Sequence, residues 1–183
     1  ATNEMKDIAL RLKPNAVCIV PEKRMEITTE GGLDLISQFD RLKSICHQLN
    51  DNGLRISLFI EPDLRQIETA LKLEVPVIEL HTGTYSELRA DNKENELKRI
   101  QRAVDYANEL GIECHAGHGL NYENVGPIAS IKKITELNIG HFLIGEAVFI
   151  GLTNAIDKMK RIMAEARKVE VSNSDSPYNK RSL

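Results

Sequence analysis

The chain has 183 residues, 42% of them hydrophobic and 28% charged, with a formal net charge of −3. That balance belongs to a single globular domain able to bury a core, and it excludes collagen-like and disordered classes. With 24 basic residues against 27 acidic ones there is no electrostatic footprint for DNA or RNA, so no nucleic-acid partner is expected. The most apolar stretch, 142–152, contains Glu146 and is about half the length of a bilayer span, so no membrane partner is expected either. No secretory signal is visible, and Cys18, Cys46 and Cys114 are too few and too widely spaced for a disulfide framework. A reducing, cytoplasmic setting follows as the expectation.

In chain order, the opening ATNEMKDIALRLKP reads as the middle of a helix without a cap, which suggests that native residues precede it. Residues 16–20 (AVCIV) form the first short β-branched run, followed by a polar loop. A helix is expected near 32–52, where Leu35, Ile36, Phe39, Leu42, Ile45, Cys46 and Leu49 recur at helical spacing before Asn52-Gly53. The second strand is 55–60, and Pro62 then opens a short helix with Leu64, Ile67 and Leu71 inward. The third strand is 76–80; a polar loop and a helix near 93–110, stopped by Gly111, come next. The fourth strand starts at 112 and enters the glycine loop 116–119. A short helical piece is expected over 128–137, a fifth strand over 138–144, and a last helix from Thr153. Residues 169–183 read as a polar, disordered tail, which leaves 1–168 as the domain.

The expected strand starts are about 30 residues apart on average, close to the roughly 31 residues per unit of a (β/α)8 barrel. A doubly wound sheet fits the spacing nearly as well, although the chain has neither a GxGxxG nor a P-loop. In both architectures ligands bind beyond the carboxyl ends of the strands. Those ends here are VPEKR, IEP, ELHTG, CHAGHG and LIGEA, each with polar or glycine residues directly after an apolar run.

Glu79 sits between apolar neighbours, so inside a barrel it either pairs with a base or moves protons; a structural ion pair is the competing reading. His81 lies two residues on, hence on the same strand face, where the two make a reasonable acid/base pair. His115 and His118 beside Cys114 invite a zinc reading, but the spacing lacks helical HExxH geometry and no CxxC supports it, so no metal is expected. Gly117 and Gly119 flanking His118 instead suggest a tight turn that presents an imidazole and frees backbone N–H groups for a phosphate. Barrels often build a phosphate site from the loops after their last two strands, which would bring Gly140 and Gly145 to the same place. His141 falls near a strand start in this reading. The loop 26–32 could close over a polar ligand, while Cys18 and Cys46 read as core residues.

Together VPEKRMEITTEGGLD (20–34), IELHTGTY (78–85), CHAGHGLNYENV (114–125) and ELNIGHFLIGEAVFIGL (136–152) resemble the pyridoxine 5′-phosphate synthase family over essentially the whole chain to Arg167. The resemblance implies a (β/α)8 TIM barrel with extra helices, of which this chain supplies about the last five units. It also implies assembly as a homo-octamer, a transferase activity in vitamin B6 biosynthesis and no cofactor or metal. The implied reaction condenses 3-amino-2-oxopropyl phosphate with 1-deoxy-D-xylulose 5-phosphate. By motif, His118 is similar to the family's general acid and Glu79 to the residue that stabilises transition-state charge. Thr28 corresponds to a contact with the deoxyxylulose phosphate, and Gly119, Gly140 and His141 to contacts with the aminoacetone phosphate and the product. The family's groups from its first three strands lie outside this sequence, so the chain by itself is expected to be inactive.

Two alternatives accompany this reading. One is a phosphosugar isomerase or aldolase on a similar barrel, for which Lys23 is the only evident Schiff-base candidate. The other is a non-catalytic phosphate-ligand-binding module that uses the same loops.

Overall fold

Apolar runs bounded by glycine, proline or asparagine become the strands of one parallel sheet, and the segments of helical period between them become its cover. The structure, a computed structural model, describes residues 1–174 apart from 24, 25, 29 and 30. In chain order the elements are α1 (Asn3–Leu12), β1 (Ala16–Ile19), α2 (Phe39–Asp51), β2 (Arg55–Ile60), α3 (Leu64–Lys72), β3 (Val77–His81) and α4 (Gly83–Glu87). They continue with α5 (Ala90–Glu109), β4 (Glu113–Gly117), α6 (Val125–Ser130), β5 (Ile134–Asn138), α7 (His141–Ile150) and α8 (Leu152–Ser174).

All four strand pairs are parallel, and the spatial order is β1-β2-β3-β4-β5. A doubly wound sheet reverses its order at a switch point, whereas successive barrel staves stand side by side. The sheet therefore has the order of five consecutive barrel units. On its outer face Ile56, Leu58, Ile60, Ile78, Leu80, Cys114 and Ala116 are fully buried. They share one hydrophobic core with Leu42, Ile45 and Leu49 of α2, Ile67 and Ala70 of α3, and Ile100, Val104 and Ala107 of α5. Burying one such Leu or Ile contributes about 1.5–3 kcal/mol, so this layer dominates the stability.

Local signals explain most helix ends. The Thr2 hydroxyl accepts a hydrogen bond from Met5 N (3.2 Å), so α1 carries its own cap rather than beginning mid-helix. Asp63 caps α3 by accepting from Arg65 N at 2.8 Å. Gly53 and Gly111 both take φ of +76° just beyond α2 and α5. No helix among the described residues is long and apolar enough to cross a membrane.

Several expectations need correction, among them the helical piece expected over 128–137, which is α6 followed by β5. The fifth strand is Ile134–Asn138 and not 138–144, because 141–150 forms α7. That run is apolar apart from His141 and Glu146, with no clear period to distinguish strand from helix. Gly145 consequently lies inside α7, away from the strand tips. The helix expected from residue 32 begins at Phe39, since Asp34 turns the chain by accepting from the N–H groups of Ile36 (3.1 Å) and Ser37 (3.3 Å). Buried Leu35 sits in that irregular segment, its N–H donating to Gln66 Oε1 at 2.9 Å. Cys18 is exposed on the sheet edge instead of in the core, whereas Cys46 and Cys114 are buried. α8 continues through Ser174, into the stretch read as a tail; 175–183 lie outside the described residues.

Two carboxylates anchor the loops at opposite ends of the sheet. Glu26 is held down at about 2 by donation from Glu22 N and by Arg41, and Glu113 at about 2 by His115 and Arg55. Depressed folded-state values stabilise the native state above the unfolded value of 4.5, and this contribution is lost as pH falls toward 2. The urea midpoint is therefore expected to drop between about pH 5 and about pH 3. Glu26→Gln should narrow that drop, and an equal drop in the variant would refute the assignment.

Candidate functional site

Because strand side chains alternate, the residues between the buried outer ones all face the sheet's other side. There, Phe59 of β2, Glu79 of β3, His115 of β4 and Glu136 of β5 stand in register, with His81, Gly117 and Asn138 forming the next row toward the carboxyl ends. This concave side is polar where the outer side is aliphatic.

Glu79 is buried, and burial pushes its carboxyl above the ordinary carboxylate value. Three neighbours oppose that push. Cys18 Sγ donates to Oε2 at 3.6 Å, the charge of His115 lies in the adjacent register position, and Asn138 adds a hydrogen bond. The carboxylate also lies over the bare Cα of Gly117, where a Cβ would overlap Oε1. Glycine is required at 117 by this close approach and not by backbone conformation.

His118 follows β4 directly and adopts φ of +82°, a conformation uncommon outside glycine; Gly119 follows at +75°. The strained turn is held by its carbonyls. Thr82 N and Oγ1 both donate to Gly117 O (2.8 and 2.7 Å), Thr82 Oγ1 also reaches His118 O (2.7 Å), and Asn124 Nδ2 donates to Gly119 O (3.1 Å). The His118 ring packs 4.9 Å from the His81 ring, centroid to centroid. Desolvation first, then the like charge of His81, lowers the proton affinity of His118; Glu87 opposes this and His141 adds to it.

A cavity of about 990 Å³ opens at these strand tips, lined among others by Glu79, His81, His118, Gly119, Gly140 and His141. Gly140 caps α7 and His141 is its first residue, so the positive end of that helix faces the cavity. The corrected end of β5 is what brings His141 to the mouth. Of the six residues that the family resemblance assigns to catalysis or substrate contact, Thr28 alone is not in the lining, although Ile27 and Gly31 are. Its N–H donates to Gly32 O (2.8 Å) and its hydroxyl accepts from Gly31 N (3.3 Å), inside its own loop. No lysine is among the described lining residues, and Lys23 is exposed elsewhere, which leaves the Schiff-base aldolase reading without a candidate there. Among the described residues no group of three or more His, Cys, Asp or Glu side chains is arranged to hold a metal ion.

Residues 1–165 match the family described as pyridoxal phosphate biosynthesis protein PdxJ. The chain belongs to that family. It is 58% identical over 167 residues to the pyridoxine 5′-phosphate synthase of Zymomonas mobilis, covering 91% of this chain and 65% of the relative. It is 54% identical over 167 residues to that of Rhodospirillum rubrum, covering 91% and 67%. The chain thus spans about two thirds of the length of the curated relatives it matches. Among solved structures, the Amycolatopsis orientalis BexX/CysO complex aligns with a TM-score of 0.58 at 14% identity, over 97% of this chain and 68% of that one. A xylose isomerase domain protein from Planctomyces limnophilus aligns at 0.53 and 13% identity, over 86% and 65%. At such identities these two establish likeness of fold alone.

Sequence reasoning gave no role to Thr82, Gly83 or Asn138, and none to Glu61. Thr82 and Gly83 lie within the quoted IELHTG, so their place in a motif was visible. Their purpose, pinning one turn and leaving room for a ring, depends on a neighbouring strand. Gly117→Ala is expected to cost about 1–3 kcal/mol as Glu79 is displaced. Gly126→Ala, in α6 with open space around it, should be neutral or slightly stabilising. Equal melting temperatures for the two variants would contradict the packing of Glu79 on residue 117.

Proposed function

We propose that the protein is a pyridoxine 5′-phosphate synthase that joins 3-amino-2-oxopropyl phosphate to 1-deoxy-D-xylulose 5-phosphate, releasing phosphate and water. The observation that carries this reading is the convergence of Glu79, His118, Gly119, Gly140 and His141 on one cavity at the carboxyl ends of the sheet. In this reading His118 is the general acid. Burial and the neighbouring His81 lower its proton affinity, which makes the protonated ring a stronger acid. Glu79, buried beside the cavity, balances positive charge that develops on the imine and enamine nitrogen as the ring closes. The N–H groups of the 118–119 turn and of the α7 N-terminus would hold the phosphate groups.

The chemistry explains why these groups belong together. Amine and ketone condense with loss of water, the ester phosphate leaves, and an aldol-type closure completes the aromatic ring. Each step moves a proton, so acid and base groups must share a single mouth. Thr28 would reach the deoxyxylulose phosphate only if its hydroxyl exchanged its present contact with Gly31 N for substrate. Assembly as a homo-octamer, a cytoplasmic setting and independence of any cofactor belong to the same reading and rest on the family resemblance.

The test is an assay of the whole protein with both phosphorylated substrates, following the absorbance of pyridoxine 5′-phosphate. His118→Asn is expected to lower kcat by about 10²- to 10⁴-fold while phosphate-ligand binding persists. Glu79→Gln should lower kcat with little change in KM. Absence of turnover in the parent protein, or full activity in His118→Asn, would overturn the reading.

A further inference from the structure

Beside His118 lies a second imidazole that the proposed chemistry leaves without a task. His81 is buried at the end of β3, and its Nδ1 meets Glu61 Oε1 at 2.6 Å. Glu61, in the loop after β2, is itself 3% exposed. The same oxygen accepts from Gly32 N at 2.9 Å, and Oε2 is met by Arg99 at 3.2 Å. Arg99 in turn is gripped by Glu96 on its own helix α5 (2.9 Å). A buried carboxylate with these partners is an acceptor, so the proton between it and the imidazole resides on His81 Nδ1.

The far edge of the ring is equally constrained. A Cβ on Gly83 would overlap His81 Nε2 and come within 3.1 Å of His118 Cδ2, and one on Gly31 would lie 2.9 Å from His81 Cε1. Two glycines, one in the loop after β1 and one at the start of α4, thus make the slot that lets the ring rim reach the cavity, which His81, Gly31 and Gly83 all line. Phe59 closes one side edge-on at 5.1 Å, and His118 closes the other. A histidine serving only as core filler would need neither slot nor buried carboxylate.

We propose that Glu61 and His81 form a positioning dyad for His118. The carboxylate fixes the tautomer and angle of His81, and the held ring sets the orientation and protonation of the neighbouring general acid. This rests on the role given to His118 above. Like charge on two imidazole rings 4.9 Å apart repels, so His81 makes a protonated His118 the readier to give up its proton. The carboxylate on Nδ1 holds the His81 ring in place, so its effect on His118 acts at a fixed distance and angle. The groups facing His118 are His81 from β3, Glu87 from α4 and His141 from α7; those facing His81 are Glu61 and, through it, Arg99.

The experiment compares parent, His81→Asn and Glu61→Gln in the whole protein, by the pH profile of kcat and by ¹⁵N ring-shift titration of His118. Asparagine places an amide N–H near the former Nδ1 and so retains donation to Glu61, which protects the fold while removing the second imidazole. Both variants should lose about a hundredfold in kcat with KM changed less than about threefold. In His81→Asn the His118 titration midpoint and the matching limb of the kcat profile should move to higher pH. An unchanged His118 midpoint in His81→Asn overturns the dyad whatever happens to kcat, as does a loss confined to KM. If the parent protein shows no turnover at all, the functional reading fails, yet the His118 titration still decides the dyad.

Discussion

A carboxylate is costly to bury in the middle of a parallel sheet, with an effective penalty of several kcal/mol when it stays ionised and unpaired. Glu79 occupies such a place, and the structure around it is arranged to meet that cost. A thiol from β1 donates to it, a histidine stands in the next register position on β4, and Asn138 approaches from β5. The glycine at 117 removes the side chain that would otherwise fill the space its oxygens need. Four strands must therefore be in correct parallel register before this single residue can be accommodated.

From that constraint the rest of the mouth follows. With Gly117 reserved for Glu79, the chain must turn immediately beyond it, and His118 takes the left-handed conformation that the turn demands. Thr82 holds the turn by its carbonyls, so one residue just past β3 secures the geometry of the residue just past β4. His81 lies between the two, tied outward to Glu61 and inward to the His118 ring. The site is thus a property of adjacent strand tips more than of any one motif. That is also why a barrel order, with each strand beside its sequence neighbour, serves it better than a sheet whose order reverses.

Much of this could be read from residue order. The alternation of apolar runs with helical periods gave the α/β class, and glycines and polar residues after each run marked the carboxyl ends as the place for chemistry. Glu79 and His118 stood out because each interrupts a pattern, one as a charge among aliphatics and the other as an imidazole between glycines. Three features were not legible for physical reasons. Residues 141–144 open a run that is apolar apart from His141 and Glu146 and carries no clear period, so they passed for the end of a strand and His141 was not placed at the mouth. Segment 32–38 has helical spacing, but Asp34 captures two N–H groups and turns the chain before the helix can start. Glu61 was visible only as the polar residue of the strand end IEP, since its role comes from Gly32, His81 and Arg99, which are remote in sequence.

The central claim is that Glu79, His118 and the start of α7 face a single ligand together. A crystal structure of the whole protein with pyridoxine 5′-phosphate tests it most directly. The account predicts the pyridine ring between the Glu79 carboxylate and the His118 imidazole, with its phosphate against the N–H groups of Gly119 and Gly140. A ligand bound away from these strand tips, or a Glu79 carboxylate turned from the occupied cavity, would contradict it.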